Sequence, residues 1–281
     1  MISESTRERL RPWLPKPLRQ AYWTSRRAVH RTLRLIDSAP QRLASARDRW
    51  TLTSMQFREL GRLSLQERRA LVRRLGAVNG QVRCAHTHAE IVEMASAILA
   101  IPASKRGCIV EAGCFKGGST VKLSIVTKLV GRRLVVFDSF EGLPVHGEQH
   151  GRTIFGQQTG FVPGLYAGAL AEVTDNVRRY GEVDVCEFRK GWFDDTMPQF
   201  AEPIAAAFLD VDLAASTRTC LENLYPLLVP GGVIFSHDGH LPLCIDVFRD
   251  ESMWRRIGGP PPVIDGLGTR KLISIVKPAG E

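Results

Sequence analysis

Two groups of residues in this 281-residue chain have the types and spacing to do chemistry. The first is Glu111 followed by G-x-x-x-G-G, with glycines at Gly113, Gly117 and Gly118, and Asp138 ending the next apolar run. Glycines at such a turn let the backbone approach a ligand and leave the N–H groups of a following helix open. An acid at the end of the second run can accept hydrogen bonds from both hydroxyls of a ribose. The second group is Asp210 and Asp212 in FLDVDLAAS with His237, Asp238 and His240 in FSHDGH. On an extended chain a period of two puts Asp210 and Asp212 on one side. Carboxylates that close repel, so a compensating charge is expected. Oxygen-rich clusters suit Mg²⁺, whereas an imidazole such as His237 shifts preference toward Mn, Fe or Zn. His240 is a candidate base because an unperturbed imidazole titrates near neutrality.

The glycine spacing is not the G-x-G-x-x-G of nicotinamide enzymes. Glu111 ahead of the turn would repel a pyrophosphate but suits an ammonium or a sulfonium. S-adenosyl-L-methionine carries both, and a ribose. The competing structural reading is that a glycine turn after a strand is common. Acids at strand ends also often cap helices, or pair with arginines such as Arg218 and Arg249.

These residues need elements to hold them. Apolar runs CIVEAG, RLVVFD, VDVCEF, AAAFLDVD and GGVIFSHD alternate with helix-like segments STVKLSIVTKLV, ALAEVTDNVRRYG, WFDDTMPQF and STRTCLENLYPLL. That alternation predicts an α/β domain with a parallel sheet covered on both faces. Such a sheet binds ligands beyond the carboxyl ends of its strands. The tail PPPVIDGLGTRKLISIVKP predicts a closing antiparallel pair. Ser64 starts a further helix that ends near Gly76, and Thr87 with Glu90 forms a capping-box pattern. Residues 145–168 are too long for a plain connection and read as a mobile lid carrying Phe155, Phe161 and Tyr166. His146 and His150 on it are either acceptor contacts or solvated.

The formal charge of +9 is unevenly spread. Residues 1–83 hold nineteen Lys and Arg against six Asp and Glu, and the remainder holds nineteen against twenty-three. The chain is therefore divided into an Arg-rich helical extension, 1–83, and a catalytic domain, 84–281. Within the extension, PLRQAYWTSRRAVHRTLRLI reads as an amphipathic helix after a proline-broken start. Its arginines could meet anionic lipid or simply be a solvated face. No run is long and apolar enough to predict a transmembrane helix, and no secretory leader is predicted. Six scattered cysteines without a C-x-x-C pair predict free thiols and a cytoplasmic protein, peripheral to membranes at most.

The ordered stretches VEAGCFKGGST, FDSFEGLP, GWFDDTMP and LDVDLAASTRTCLENLYPLLVPGGVIFSHDGH resemble the macrocin O-methyltransferase (TylF-like) family over roughly residues 84–277. The resemblance implies a Rossmann-like class I methyltransferase fold: a mostly parallel seven-stranded sheet with an antiparallel closing strand. It implies that Glu111, Gly113, Gly117, Gly118 and Ser119 hold the methionine part of S-adenosyl-L-methionine. Asp138 would bind the ribose with Ser139 beside it, and Gly191 and Trp192 would contact adenine; a core position for Trp192 is the alternative. Asp210, His237 and Asp238 would hold a divalent metal, Mg²⁺ or Mn²⁺ or another ion, and Asp212 would be the base. This chain departs from the family where His237 replaces the usual first acid of the pair. The implied activity is metal-assisted O-methylation of a sugar hydroxyl in a glycosylated natural product or glycolipid, with no nucleic-acid partner and with homo-oligomers open. A catechol-like acceptor is the alternative, as is a non-catalytic basic protein that binds nucleic acid or membrane.

Overall fold

The computed structural model describes residues 63–278. The proline-broken start, the amphipathic stretch around residues 17–36 and most of the basic extension lie outside the described residues.

Helix α1 (Leu65–Val78) opens on a capping box: Glu67 N donates to Ser64 Oγ, and the Glu67 carboxylate accepts from Ser64 N. Its buried residues Leu71, Val72, Leu75 and Val78 fall at helical spacing on one face. Helix α2 (His88–Ala100) repeats the device with Thr87 and Glu90, as the sequence predicts. Strand β1 (Cys108–Ala112), α3 (Gly118–Leu129), β2 (Leu134–Asp138), α4 (Leu170–Tyr180), β3 (Cys186–Lys190), α5 (Phe193–Thr196), β4 (Ile204–Leu209), α6 (Ala214–Leu224) and β5 (Leu228–Ser236) then alternate. VDV, read as part of a strand, is instead a 3₁₀ turn at Val183–Val185. Two helices the sequence did not announce follow, α7 (Pro242–Arg249) and α8 (Glu251–Ile257). Pro242 masks α7 in the sequence, yet at a first helical turn its missing N–H is no loss. Asp250 caps α8 by accepting from Ser252 N and Met253 N. Strands β6 (Ile264–Asp265) and β7 (Ile273–Val276) complete the chain's sheet.

The sheet has seven strands in the order β3-β2-β1-β4-β5-β7-β6. The first five run parallel, β7 is antiparallel to β5, and β6 is antiparallel to β7. Alternate strand residues feed two cores. Ile109, Val136, Phe208 and Phe235 pack with α1 to α4, while Val110, Phe137, Leu209 and Ile234 pack with α6 to α8. The composition boundary at 83/84 is not a gap in packing, because α1 and Val82 share the first core with the sheet. Among the described residues, no helix is long and apolar enough to cross a membrane. All six cysteines are unpaired.

Register sets the site. Ala112 pairs with Leu209, and Leu209 with Ser236. The residues one step on, Gly113, Asp210 and His237, therefore emerge side by side. The ladder continues through them: Asp210 N donates to Ala112 O at 3.0 Å and His237 N to Leu209 O at 2.9 Å. On the other flank Gly113 N donates to Phe137 O, and Gly191 N to Asp138 O, both at 3.0 Å. Chain order reverses between β1 and β4, which opens a crevice at these ends.

Candidate active site

The half of the site beyond β1, β2 and β3 is a tight glycine turn closed against its neighbours. Gly113 has φ 82°, and a Cβ there would lie 2.1 Å from Asp210 O. A Cβ on Gly118 would lie 2.5 Å from Arg83 O. The sequence reading gave these glycines to a ligand, but the chain's own backbone already requires both. Gly117, at φ 81°, is the N-cap of α3 and leaves that helix start without a side-chain cap. Its free N–H groups are the part of the turn suited to a carboxylate.

Asp138 is half-buried and faces this turn. Cys114 N donates to its Oδ2 at 2.7 Å and Phe140 N to its Oδ1 at 2.6 Å. Each oxygen keeps lone-pair capacity for a further donor. Glu111 is fully buried, and neither carboxylate oxygen has a hydrogen-bond partner among the described residues. Burial pushes its pKa up to about 7, against the pull of the neighbouring Ser119 and Thr120. Ser119 is buried at the start of α3. Ser139 is a turn residue: its hydroxyl donates to Gly142 O and accepts from Glu141 N, both at 3.1 Å. Gly191 follows β3, and Trp192 begins α5 with 39 % of its surface exposed, so the ring is not core.

The half beyond β4 and β5 gathers the acids and histidines. Asp210, Asp212 and Asp238 each offer a carboxylate oxygen within 4.8 Å of the others. Strand periodicity does not bring Asp210 and Asp212 together, because β4 ends at Leu209. Asp212 stands at φ 60°, and this left-handed turn folds its carboxylate back. A non-glycine residue held there costs about 1–2 kcal/mol and marks a functional constraint. Asp238 supports the turn, its Oδ2 accepting from Val211 N at 3.1 Å and Asp212 N at 3.3 Å.

The compensating charge comes from two histidines, and one of them was not expected. His237 Nδ1 lies 3.4 Å from Asp210 Oδ1. His86 Nε2, just ahead of α2, lies 3.2 Å from Asp210 Oδ2. Burial alone would raise the Asp210 pKa, but His237 and His86 outweigh it and hold the carboxyl well below its usual range. Burial opposes charge on both imidazoles, yet Asp210 and Glu90 raise His237 to about 10, and Asp210 and Cys84 raise His86 to about 9. Asp212 goes the other way: burial, then the charges of Asp210 and Asp238, push its carboxyl well above the ordinary value. Burial, then Asp210, also raises Asp238. His240 is driven down to about 4 by burial and by the charges of Lys271 and His237. Of the two candidate bases, Asp212 is thus the more basic relative to its kind. Arg218, the alternative partner for these acids, instead pairs with Asp250 at 2.8 Å.

Sequence reasoning missed His86 and saw Glu90 only as a cap. Glu90 Oε2 also lies 3.5 Å from His237 Nε2. The available signal was the run CAHTH directly ahead of the α2 capping box. It also missed Glu148, whose carboxylate accepts from Ala214 N at 2.9 Å and Ala215 N at 2.8 Å and so caps α6 from the 145–168 loop. That loop is fastened across the site. Ile154 N donates to His240 O at 3.0 Å, Phe155 stacks on His240 at 6.1 Å, and His150 lies 2.7 Å from Glu148. His150 and both ring nitrogens of His146 are buried rather than solvated. Burial and then the Asp212 and Asp210 charges raise the Tyr166 phenol pKa, and the Tyr166 ring packs edge-on to Phe115 at 5.7 Å.

The donor sets fit what the fold family implies. An unpartnered buried acid, a half-buried strand-end acid and an uncapped helix start suit a ligand with a sulfonium, a ribose and a carboxylate. The Asp210, Asp212 and Asp238 oxygens, with His237 beside them, suit a divalent cation. A family model described as Macrocin-O-methyltransferase (TylF) matches residues 77–270. The chain is 36 % identical over 167 residues to 8-demethyl-8-(2,3-dimethoxy-alpha-L-rhamnosyl)-tetracenomycin-C 4'-O-methyltransferase of Streptomyces olivaceus, covering 58 % of this chain and 64 % of that protein. It is 31 % identical over 151 residues to Mycinamicin III 3''-O-methyltransferase of Micromonospora griseorubida, covering 51 % and 59 %. The chain thus spans less than two thirds of the length of these curated relatives. The solved structure of the O-methyltransferase NovP superposes with a TM-score of 0.57 at 25 % identity, over 69 % of this chain and 83 % of that one. Since the family match spans α2, the parallel sheet and the strand ends that carry Asp138, Asp210 and His237, the chain belongs to the macrocin O-methyltransferase (TylF) family.

Proposed function

We propose that this chain is an S-adenosylmethionine-dependent O-methyltransferase that, with a divalent metal, methylates a sugar hydroxyl of a glycosylated natural product or glycolipid. The observation that carries the reading is the register of β1, β4 and β5, which sets the Gly113 turn beside Asp210 and Asp210 beside His237. A cofactor half and an acid–histidine half then share one crevice. The relative from Streptomyces olivaceus, named for a rhamnosyl tetracenomycin, supports a sugar-bearing acceptor.

S-adenosylmethionine, when bound, supplies the methyl group on a sulfonium. Asp138 would accept from the ribose, the α3 start would face the methionine carboxylate, and half-exposed Trp192 would offer a face to adenine. Glu111 would compensate the cofactor's positive charge from beneath the turn. Asp210, His237 and Asp238 would hold the metal, which lowers the pKa of a hydroxyl it polarises. Asp212 would accept the acceptor hydroxyl's proton on its carboxylate, which stands beside those of Asp210 and Asp238. Asp238 keeps Asp212 aimed by holding its backbone N–H. Phe155 and Tyr166 line the loop that would keep water from the reacting groups. The reading includes a cytoplasmic protein, peripheral to membranes at most, with contact there through its basic front.

The test is methyl transfer from labelled cofactor into a panel of glycosylated lipids and macrolides, with and without chelator. Chelator-sensitive labelling of a glycoside supports the reading. Labelling of catechols alone would move the acceptor class, and full-rate transfer after metal removal would leave the acid–histidine cluster structural.

A further inference from the structure

His86 belongs to no role assigned so far, yet it stands against the central acid of the cluster. Its Nε2 lies 3.2 Å from Asp210 Oδ2, and His237 Nδ1 lies 3.4 Å from Asp210 Oδ1, so each carboxylate oxygen faces one imidazole nitrogen. The two side chains are only 3 % and 6 % exposed. His86 Nε2 and His237 Nε2 are both buried without a hydrogen-bond partner among the described residues.

Each ring has one nitrogen facing Asp210 and the other facing a second neighbour. His86 Nδ1 lies 3.0 Å from Cys84 Sγ. The fully buried Lys122 ammonium reaches the same sulfur at 3.4 Å, and an ammonium can only donate. The sulfur accepts from Lys122 and lies against Nδ1, which leaves Nε2 as the His86 ring nitrogen facing the Asp210 carboxylate. Phe208 packs edge-on to the His86 ring at 4.8 Å and holds it there. For His237, Glu90 Oε2 lies 3.5 Å from Nε2, and Nδ1 faces Asp210. An imidazole oriented by a carboxylate behind it is the usual outer arrangement of a metal-ligating histidine. A divalent cation bound by both ring nitrogens and the carboxylate would replace the protons that otherwise lie across these contacts of about 3 Å. Donors bound at roughly 2.1 Å around one ion sit at about that spacing.

We infer that His86, Asp210 and His237 form a two-histidine, one-carboxylate site for a divalent first-row transition ion, with Cys84 and Glu90 orienting the two imidazoles. The inference rests on the metal-assisted reading above and refines it: the nitrogen donors select Mn²⁺, Fe²⁺, Co²⁺ or Zn²⁺ over Mg²⁺, which demands oxygen ligands.

The test uses the full chain, stripped with chelator and titrated with Mn²⁺, Co²⁺ and Mg²⁺ by calorimetry. Pulsed electron paramagnetic resonance of the Mn²⁺-loaded protein then counts coupled imidazole nitrogens. The expected results are Co²⁺ and Mn²⁺ binding at least tenfold tighter than Mg²⁺, and two coupled nitrogens. His86→Gln should leave one nitrogen and weaken Co²⁺ at least tenfold while cofactor affinity stays unchanged. Cys84→Ala, which frees the ring and also removes one acceptor from Lys122, should weaken Co²⁺ by about tenfold. If His86→Gln does not fold, the nitrogen count in the native protein decides alone. One coupled nitrogen, equal affinity for Mg²⁺, or unchanged Co²⁺ affinity in a folded His86→Gln overturns the inference and leaves metal-assisted transfer standing. No bound metal at all overturns both.

Discussion

On the proposed reading Asp212 and Asp210 share a turn but not a task, and single substitutions separate them. Asp210→Asn should lose metal affinity and turnover together, and excess metal should partly restore it. Asp212→Asn should keep metal and cofactor affinity while turnover falls by roughly 10²–10⁴, the share of a general base; added metal should restore nothing. Equal metal loss in both variants would remove Asp212 from the base role. Asp138→Ala should weaken S-adenosylmethionine binding by about 1.5–3 kcal/mol, the range for hydrogen bonds to a charged group, as read by calorimetry. Glu111 gives a stability prediction. Its folded pKa, about 7, lies above the ordinary 4.5, so the folded state binds more protons between these values. Stability from this residue is therefore highest below about pH 4.5 and falls as pH rises to about 7. Glu111→Gln should remove that loss and gain about 3 kcal/mol at pH 8 relative to pH 4, because one extra bound proton is worth roughly 1.4 kcal/mol for every pH unit crossed. Denaturant unfolding at the two values checks it, and an unchanged difference would mean Glu111 stays charged at little cost.

At the scale of elements, α1 and the 145–168 loop matter beyond their sequence signals. Leu75 is fully buried in the core that α1 shares with the sheet. Leu75→Ala should destabilise the fold by about 2–5 kcal/mol, and a truncation that removes Leu71, Val72 and Leu75 should leave no stable cofactor-binding domain. A folded truncation that binds cofactor would show that α1 is dispensable. Glu148 joins the loop to the α6 start, so Glu148→Ala should cost about 0.5–2 kcal/mol, the worth of an N-cap. Faster proteolysis within 145–168 should accompany that loss. The strands and the helices α3, α4 and α6 were legible because their apolar residues repeat at the right period. α7 and α8 were not, because Pro242 and Asp250 look like breakers when they are in fact first-turn and cap residues.

For the whole molecule, the site lies at the crevice where the sheet reverses its order, and filling it should couple to folding. Cofactor at about a hundred times its Kd should add about 2.7 kcal/mol by mass action, a rise in Tm of roughly 5–10 °C for a domain of this size. A thermal scan against cofactor concentration measures it, and a flat Tm at saturating cofactor would contradict a site built into the folded domain.

The sequence by itself determined the α/β class and the family resemblance, and it singled out Glu111, Asp138, Asp210, Asp212, His237 and Asp238 as candidates. These are local properties: hydrophobic period, turn chemistry, and acids at the ends of apolar runs. It could not determine who faces whom. His86 and Asp210 are separated by most of the core sequence and meet only because the segment before α2 crosses the start of α3, where Gly118 leaves room for Arg83 and Cys84. Asp210 and Asp212 converge through a left-handed turn that strand periodicity does not contain. The inverted pKa order of Asp212 and His240 follows from burial and neighbouring charge. Such shifts depend on distances across the fold, and no spacing along one chain encodes them.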